Sequence, residues 1–174
     1  MNSVDTSIPP SFNIRNPQHL IAHGFGAGLS PWAPGTMGTL VAVPIYLVLS
    51  LLPTTLYLVV LAAMIAAGIW ACGAVCRELG DDDPQTIVWD EIVGFMVAMT
   101  AAPAGLVWVV AGFLLFRLLD ITKPWPISWA QGRGRGGFGL MFDDLLAGLF
   151  TFVILQGLAE MVEASLRGAG PAVH

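Results

Sequence analysis

The chain has 174 residues, of which 56% are hydrophobic and only 11% charged, with a formal net charge of −5 and a mean hydropathy of +0.75. An average soluble domain carries about 25% charged residues, so this composition argues against an ordinary soluble enzyme and against a disordered chain. The negative balance argues against a nucleic-acid binder working through a basic surface.

The position of the charges says more than their number. No Lys, Arg, Asp or Glu lies between Arg15 and Arg77, between Glu91 and Arg117, or between Asp144 and Glu160. A bilayer protein confines charge to the ends of its spans. The expected fold is therefore all-α: a polytopic integral membrane helical bundle, with short or re-entrant half-helices and its polar loops on one face. Residues 1–18 read as a mobile N-terminal segment, 19–166 as one membrane-embedded domain, and 167–174 as a flexible tail. The N-terminus lacks the charged-then-apolar layout of a cleaved signal peptide.

In chain order, His19 and His23 come first. They are four apart and could share a helical face, as metal ligands or as packed neutral side chains. Gly24 to Thr39 is rich in glycine, proline and hydroxyls and carries no charge. Within it, Gly35, Thr36 and Thr39 are expected just before a helix, where backbone N–H groups can cradle an anion. A tight turn with Thr36 as N-cap is the alternative. Thr39–Leu52, with Pro44 inside it, and Leu56–Cys76 read as two helices divided by Pro53. The second is roughly 30 Å long as a helix, the thickness of the hydrocarbon core. Cys72 and Cys76 fit small packing residues better than ligands or redox groups.

Asp81 and Asp82 read as a solvated loop. Asp83, Asp90 and Glu91 follow, the last two at the mouth of an apolar helix, where adjacent carboxylates need partners. Ile92–Phe116 is long enough for one span, but Pro103, Ala104 and Gly105 cut it. The preferred reading is two half-helices, Ile92–Ala102 and Leu106–Leu119, turning within the membrane. Asp90, Glu91 and Asp120 then share a side, which the positive-inside rule makes cytoplasmic. Arg117 and Asp120 could pair across a helix turn. Lys123 could snorkel to the interface, and Trp125 could be a belt aromatic. Together, Arg117 and Lys123 could instead clamp a phosphate. The glycines of Gly132–Gly137 are expected to let a loop approach the site. Asp143 and Asp144 are expected to open the last apolar segment, Leu145–Met161.

Carboxylate oxygens without clustered thiols or imidazoles suit Mg²⁺ rather than zinc. A hard cation flanked by Arg and Lys is equipment for phosphoryl chemistry. A divalent-cation transporter or channel is the rival, although it has no need of Arg117, Lys123 or the glycine-rich turn.

LSPWAPGTMGTL (29–40), DPQTIVWDEIVG (83–94), FRLLDITKPWPI (116–127) and GGFGLMFDDLLAG (136–148) resemble the motif blocks of the phosphatidylglycerophosphatase A family, in the family's order. The resemblance implies a multi-pass enzyme of the bacterial inner membrane, with its active face cytoplasmic. It implies hydrolysis of phosphatidylglycerophosphate to phosphatidylglycerol and phosphate with Mg²⁺, among membrane lipids and without an obligate protein partner. The family's acidic residues map onto Asp83, Asp90, Glu91, Asp120, Asp143 and Asp144, and its basic ones onto Arg117 and Lys123. The stretch Ser128–Arg135 departs from the family pattern, so Gln131 receives no role, and Arg133 and Arg135 are at most headgroup attractants. On this reading Asp90, Glu91, Asp143 and Asp144, with Asp83, form the metal set. Asp120 joins the catalytic acids. Arg117, Lys123 and the Gly35–Thr39 turn bind phosphate. A metal-activated water attacks, with an aspartyl phosphoenzyme as the alternative.

Overall fold

A computed structural model describes residues 12–131 and 136–168. Arg133, Arg135 and the outer parts of the two expected mobile ends lie outside the described residues. Among the described residues the chain is all helix with no strand. The elements are α1 (Pro17–Ala22), a 3-10 segment (Gly24–Leu29), α2 (Pro34–Leu49), α3 (Thr54–Leu79), α4 (Trp89–Ala98), α5 (Leu106–Thr122), α6 (Ile127–Ala130) and α7 (Gly136–Gly168).

Local chemistry sets several boundaries. Asn16 caps α1 by accepting from the Gln18 N–H. Pro34 opens α2, where its missing N–H costs nothing. Gly80 closes α3 at φ 66°, a left-handed cap that glycine adopts without strain.

The short helix α4 is the centre of the molecule. Trp89, Ile92 to Met96 and Ala98 are all buried. It packs most extensively on α7, and α2, α3 and α5 also lie against it. Phe95 meets Tyr46, Phe113 and Phe116 edge-on, with ring centroids 6.2, 6.4 and 6.3 Å away. With 10 residues, α4 is only about 15 Å long, half the hydrocarbon thickness. The chain breaks after it, with Ala101 at φ 51° and Gly105 at φ 127°, and α5 runs back beside it. Glu91, at the start of α4, is 3.9 Å from Arg117, near the end of α5. The start of α4 and the end of α5 therefore lie on one side.

The outer surface is apolar while acids are buried inside. Val59, Trp70, Val107, Leu114, Val153 and Met161 are exposed, whereas Asp120, Asp143 and Asp144 are buried. A water-soluble fold has the opposite polarity. Two helices, Thr54–Leu79 and Gly136–Arg167, are long and apolar enough to cross a membrane.

Several expected boundaries change. The first apolar helix begins at Pro34 rather than Thr39, because proline supplies a helix start that the hydropathy pattern does not show. The final helix begins at Gly136 rather than Leu145. Asp143 and Asp144 thus sit about two turns inside it instead of opening it.

Candidate active site

A cleft of about 390 Å³ opens where α2 starts, α4 starts, α5 ends and α7 passes. Its walls include Ala33, Pro34, Gly35, Asp90, Glu91, Arg117, Asp120, Lys123, Asp143 and Asp144, with Asp82, Asp83, Gln85 and Gln131 also lining it. The fold thus brings together residues from all four sequence blocks.

Asp90 and Glu91 occupy the first turn of α4, where the positive end of the helix dipole favours acids. Asp144 reaches the same point from α7. One carboxylate oxygen from each of these three residues lies within 4.8 Å of the other two. Asp90 Oδ1, Glu91 Oε2 and Asp144 Oδ2 are buried with no hydrogen-bond partner. Three carboxylates this close repel, and burial without partners costs more still. A hard divalent cation answers both problems, and an all-oxygen donor set fits Mg²⁺.

The two cations line the same cleft. Arg117 Nη1 donates to Asp120 Oδ2 at 2.5 Å, within α5, and Arg117 Nε is buried without a partner. Lys123 Nζ donates to Asp143 Oδ2. Burial works against the Lys123 ammonium, but its bond to Asp143, with Asp144 and Asp120 nearby, holds its pKa above the ordinary lysine value. Asp120 and Asp143 therefore hold cations, and the three-acid group is Asp90, Glu91 and Asp144. Lys123 and Ala33 both have positive φ, 40° and 42°. Non-glycine residues in that region store strain, which collects at functional sites.

The other expected site residues lie elsewhere or act differently. Asp83 is exposed at the rim, its N–H bonded to Asp81 Oδ1 at 3.0 Å, and is not grouped with the three acids. Gly35, Thr36 and Thr39 lie inside α2 rather than before it, and the N-cap is Ala33, not Thr36. Thr39 is fully buried and its hydroxyl donates to the Gly35 carbonyl at 2.9 Å, so it offers nothing to the cleft. Gly35 matters for space: a Cβ there would lie 2.1 Å from Glu91 Oε1 and 3.2 Å from Arg117 Nη1. Gly137 likewise makes room for α3, not for the site, since its Cβ would lie 2.1 Å from the Ile69 carbonyl oxygen. Gly132 lies outside the described residues.

The histidines pack away from the three-acid group. His19 is buried and bonds Glu78 Oε2 at 2.8 Å through Nε2. His23 Nδ1–H donates to the His19 carbonyl at 2.8 Å, and burial lowers its pKa. Cys72 and Cys76 are free and buried.

One pair of positioning residues escapes a charge-led reading of the sequence. Gly94 and Gly148 let α4 and α7 cross backbone to backbone. A Cβ on Gly148 would lie 2.3 Å from the Gly94 carbonyl oxygen, and one on Gly94 would lie 2.8 Å from the Asp144 carbonyl oxygen. Small residues at a helix crossing permit this approach. The signal is in the sequence: Asp90 precedes Gly94 by four residues, and Asp144 precedes Gly148 by four. Each acid thus lies one turn from the glycine of its own helix, on the same face.

Comparison with known proteins shows the family. The sequence profile of the family described as Phosphatidylglycerophosphatase A matches residues 20–159. A protein of that name from Escherichia coli (strain K12) is 45% identical over 143 residues, covering 82% of this chain and 83% of the relative. One from Haemophilus influenzae is 38% identical over 145 residues, covering 82% and 89%. A Bacteroides thetaiotaomicron protein, provisionally named a phosphatidylinositol-3-phosphatase, is 41% identical over 144 residues, covering 78% and 89%. No solved structure matches the chain. The family profile runs through all four blocks that meet at the cleft, and with these relatives it shows that the protein is a phosphatase enzyme and belongs to the phosphatidylglycerophosphatase A family.

Proposed function

We propose that the protein hydrolyses the phosphomonoester of phosphatidylglycerophosphate, releasing phosphatidylglycerol and inorganic phosphate, and that it depends on Mg²⁺. The observation that carries this reading is the meeting of three carboxylates, each with a buried oxygen that has no hydrogen-bond partner, with Arg117 and Lys123 in one cleft. Asp90, Glu91 and Asp144 would hold the cation. When bound, it supplies charge neutralisation at the phosphate and a water of lowered pKa. Arg117, with Nε free of any protein acceptor, and Lys123 take the non-bridging phosphate oxygens. Asp120 and Asp143 orient those two cations. Water oxygen bonds to phosphorus, the bond from phosphorus to the glycerol oxygen breaks, and the leaving oxygen receives a proton.

The apolar surface and the two long helices support a multi-pass protein of the bacterial inner membrane. In this arrangement α4 and α5 enter and leave on the cytoplasmic side. A cysteine-accessibility scan that labels Asp82 and Arg133 positions from opposite sides would overturn that topology. The rival reading, a cation transporter, finds no support, since the family is enzymatic and the cleft carries cations beside its acids.

The test is phosphate release in detergent. We expect release with Mg²⁺, loss on thorough stripping with EDTA, and recovery when Mg²⁺ is returned. Full activity in the stripped protein would exclude the metal. The third relative's name supplies the competing substrate: faster release from phosphatidylinositol 3-phosphate would exclude the proposed headgroup.

A further inference from the structure

The rim of the cleft has two unlike stretches. On one, the α3–α4 loop presents Asp81, Asp82 and Asp83, all exposed. On the other, α2 and α5 pack together, and an exposed tryptophan flanks the cleft end of each. Trp32 is 82% exposed and precedes Ala33, a cleft residue; Trp125 is 81% exposed and follows Lys123, another.

Both tryptophans are held out by the backbone around them. Trp32 lies between Pro31 and the Ala33–Pro34 pair, and its N–H and carbonyl bond the Ser30 hydroxyl at 3.3 and 3.0 Å. Trp125 lies between Pro124 and Pro126. Proline fixes φ on its own residue and restricts the residue before it. Leaving two indoles in water discards a large apolar burial. From each tryptophan an apolar stripe runs on: Met37 and Leu40 on α2, and Ile121, Leu118 and Leu114 on α5, all exposed. The spacing is helical, so each stripe follows one outward face.

We propose that Trp32 and Trp125 lie in the headgroup layer of the bilayer and flank the exit taken by the diacylglycerol half of the substrate. The phosphate sits in the cleft, and the acyl chains descend along α2 and α5. Two features select lipid as the occupant of this side. The indoles join an apolar body to an N–H that suits the interface. The three exposed acids of the α3–α4 loop repel anionic lipid, which favours the α2–α5 side as the way in. The inference rests on the lipid-phosphatase reading and adds the direction of lipid entry and two residues that recognise the chains.

The experiment compares two substrates with one reacting group: long-chain phosphatidylglycerophosphate in vesicles, and its deacylated, water-soluble counterpart. Trp32→Ala and Trp125→Ala should each raise KM for the vesicle substrate about tenfold, the equivalent of one partly buried aromatic. Their activity on the soluble substrate should stay within about twofold, because neither touches the phosphate. Tyrosine at either position should restore the vesicle KM. Trp70→Phe, in a half-exposed residue of mid-α3, should change neither. In parallel, bilayer bromolipids should quench the fluorescence that is lost on removing Trp32 or Trp125. Equal losses on both substrates, or no loss on either, would overturn the proposal. An inactive wild type on both substrates would overturn the phosphatase reading instead, and bromolipid quenching would still decide whether the two indoles meet the membrane.

Discussion

The two ends of α4 treat their polar groups in opposite ways. At its C-terminal end the Met96 carbonyl accepts from the Tyr57 hydroxyl at 2.6 Å and from the Thr100 hydroxyl at 3.2 Å. Gln156 of α7 donates to the Thr100 and Ala101 carbonyls, both at 3.2 Å. Helix ends leave such carbonyls unpaired unless something reaches them, and here something does. At the N-terminal end, Asp90 Oδ1 and Glu91 Oε2 are buried and bond nothing. Each such atom costs about 1–3 kcal/mol, more when charged. Among the described residues, every partnerless buried side-chain atom that accompanies them, Arg117 Nε and Asp144 Oδ2, belongs to the same cleft. A fold that satisfies one end of a helix can satisfy the other. Under the proposed function the unsatisfied end is the binding site, and ligand atoms would supply the partners that Asp90, Glu91 and Asp144 lack.

The largest effects should follow from changing the unsatisfied end itself. Asp90→Asn and Asp144→Asn should each lower kcat/KM by about a thousandfold, on the order of 4 kcal/mol of transition-state stabilisation. Melting without divalent cation should stay level or improve, because one charge leaves a repulsive buried group. Parallel phosphate-release and thermal-unfolding measurements check this. Falling stability together with falling activity would make these acids structural and break the contrast between the two ends.

A smaller effect should come from the crossing that aligns the acids. Gly148→Ala places a methyl where 2.3 Å separates it from the Gly94 carbonyl oxygen, so α4 and α7 must move apart. Overpacking of this kind costs about 1–3 kcal/mol. A shift near 1 Å between catalytic groups can cost about a hundredfold in rate. The same change at Gly157, where a Cβ would meet nothing within 4 Å, should leave both quantities unchanged. Comparison of the two variants in activity and melting separates a tight crossing from a general dislike of alanine in α7.

Much of this is legible in the charge pattern of the sequence. Runs free of charge located α3 and the α4–α5 pair, and Pro103 with Gly105 marked the turn between α4 and α5. The four blocks named the residues that meet in the cleft. Charge type alone could not divide the acids by partner. Asp143 and Asp144 are neighbours in sequence, yet on a helix adjacent side chains diverge by about 100°. Asp143 turns to Lys123 while Asp144 turns to Asp90 and Glu91. Hydropathy also hid the starts of α2 and α7, since Gly35, Thr36, Gly136 and Gly137 look like loop residues. The small size of Gly35 and Gly137 reflects what passes beside them: Glu91 at Gly35 and the α3 backbone at Gly137.

The smallest effect on activity belongs to the satisfied end. Gln156→Leu keeps the bulk and removes both donated hydrogen bonds, so the Thr100 and Ala101 carbonyls lose their side-chain donor. The cost should be about 1–3 kcal/mol of stability. Gln156→Glu should cost more, because its carboxylate is acceptor-only and faces two acceptors. Activity at temperatures where each variant is folded should stay within about twofold, since changes at distant sites with no shared partner act independently, and α4 separates the two ends by about 15 Å. Thermal unfolding should therefore rank wild type, Leu and Glu in falling order, while phosphate release barely distinguishes them. If Gln156→Leu instead lowered kcat tenfold with melting unchanged, α4 would be transmitting the position of its far end to Asp90 and Glu91. The two ends would then form one device rather than a site and a clamp.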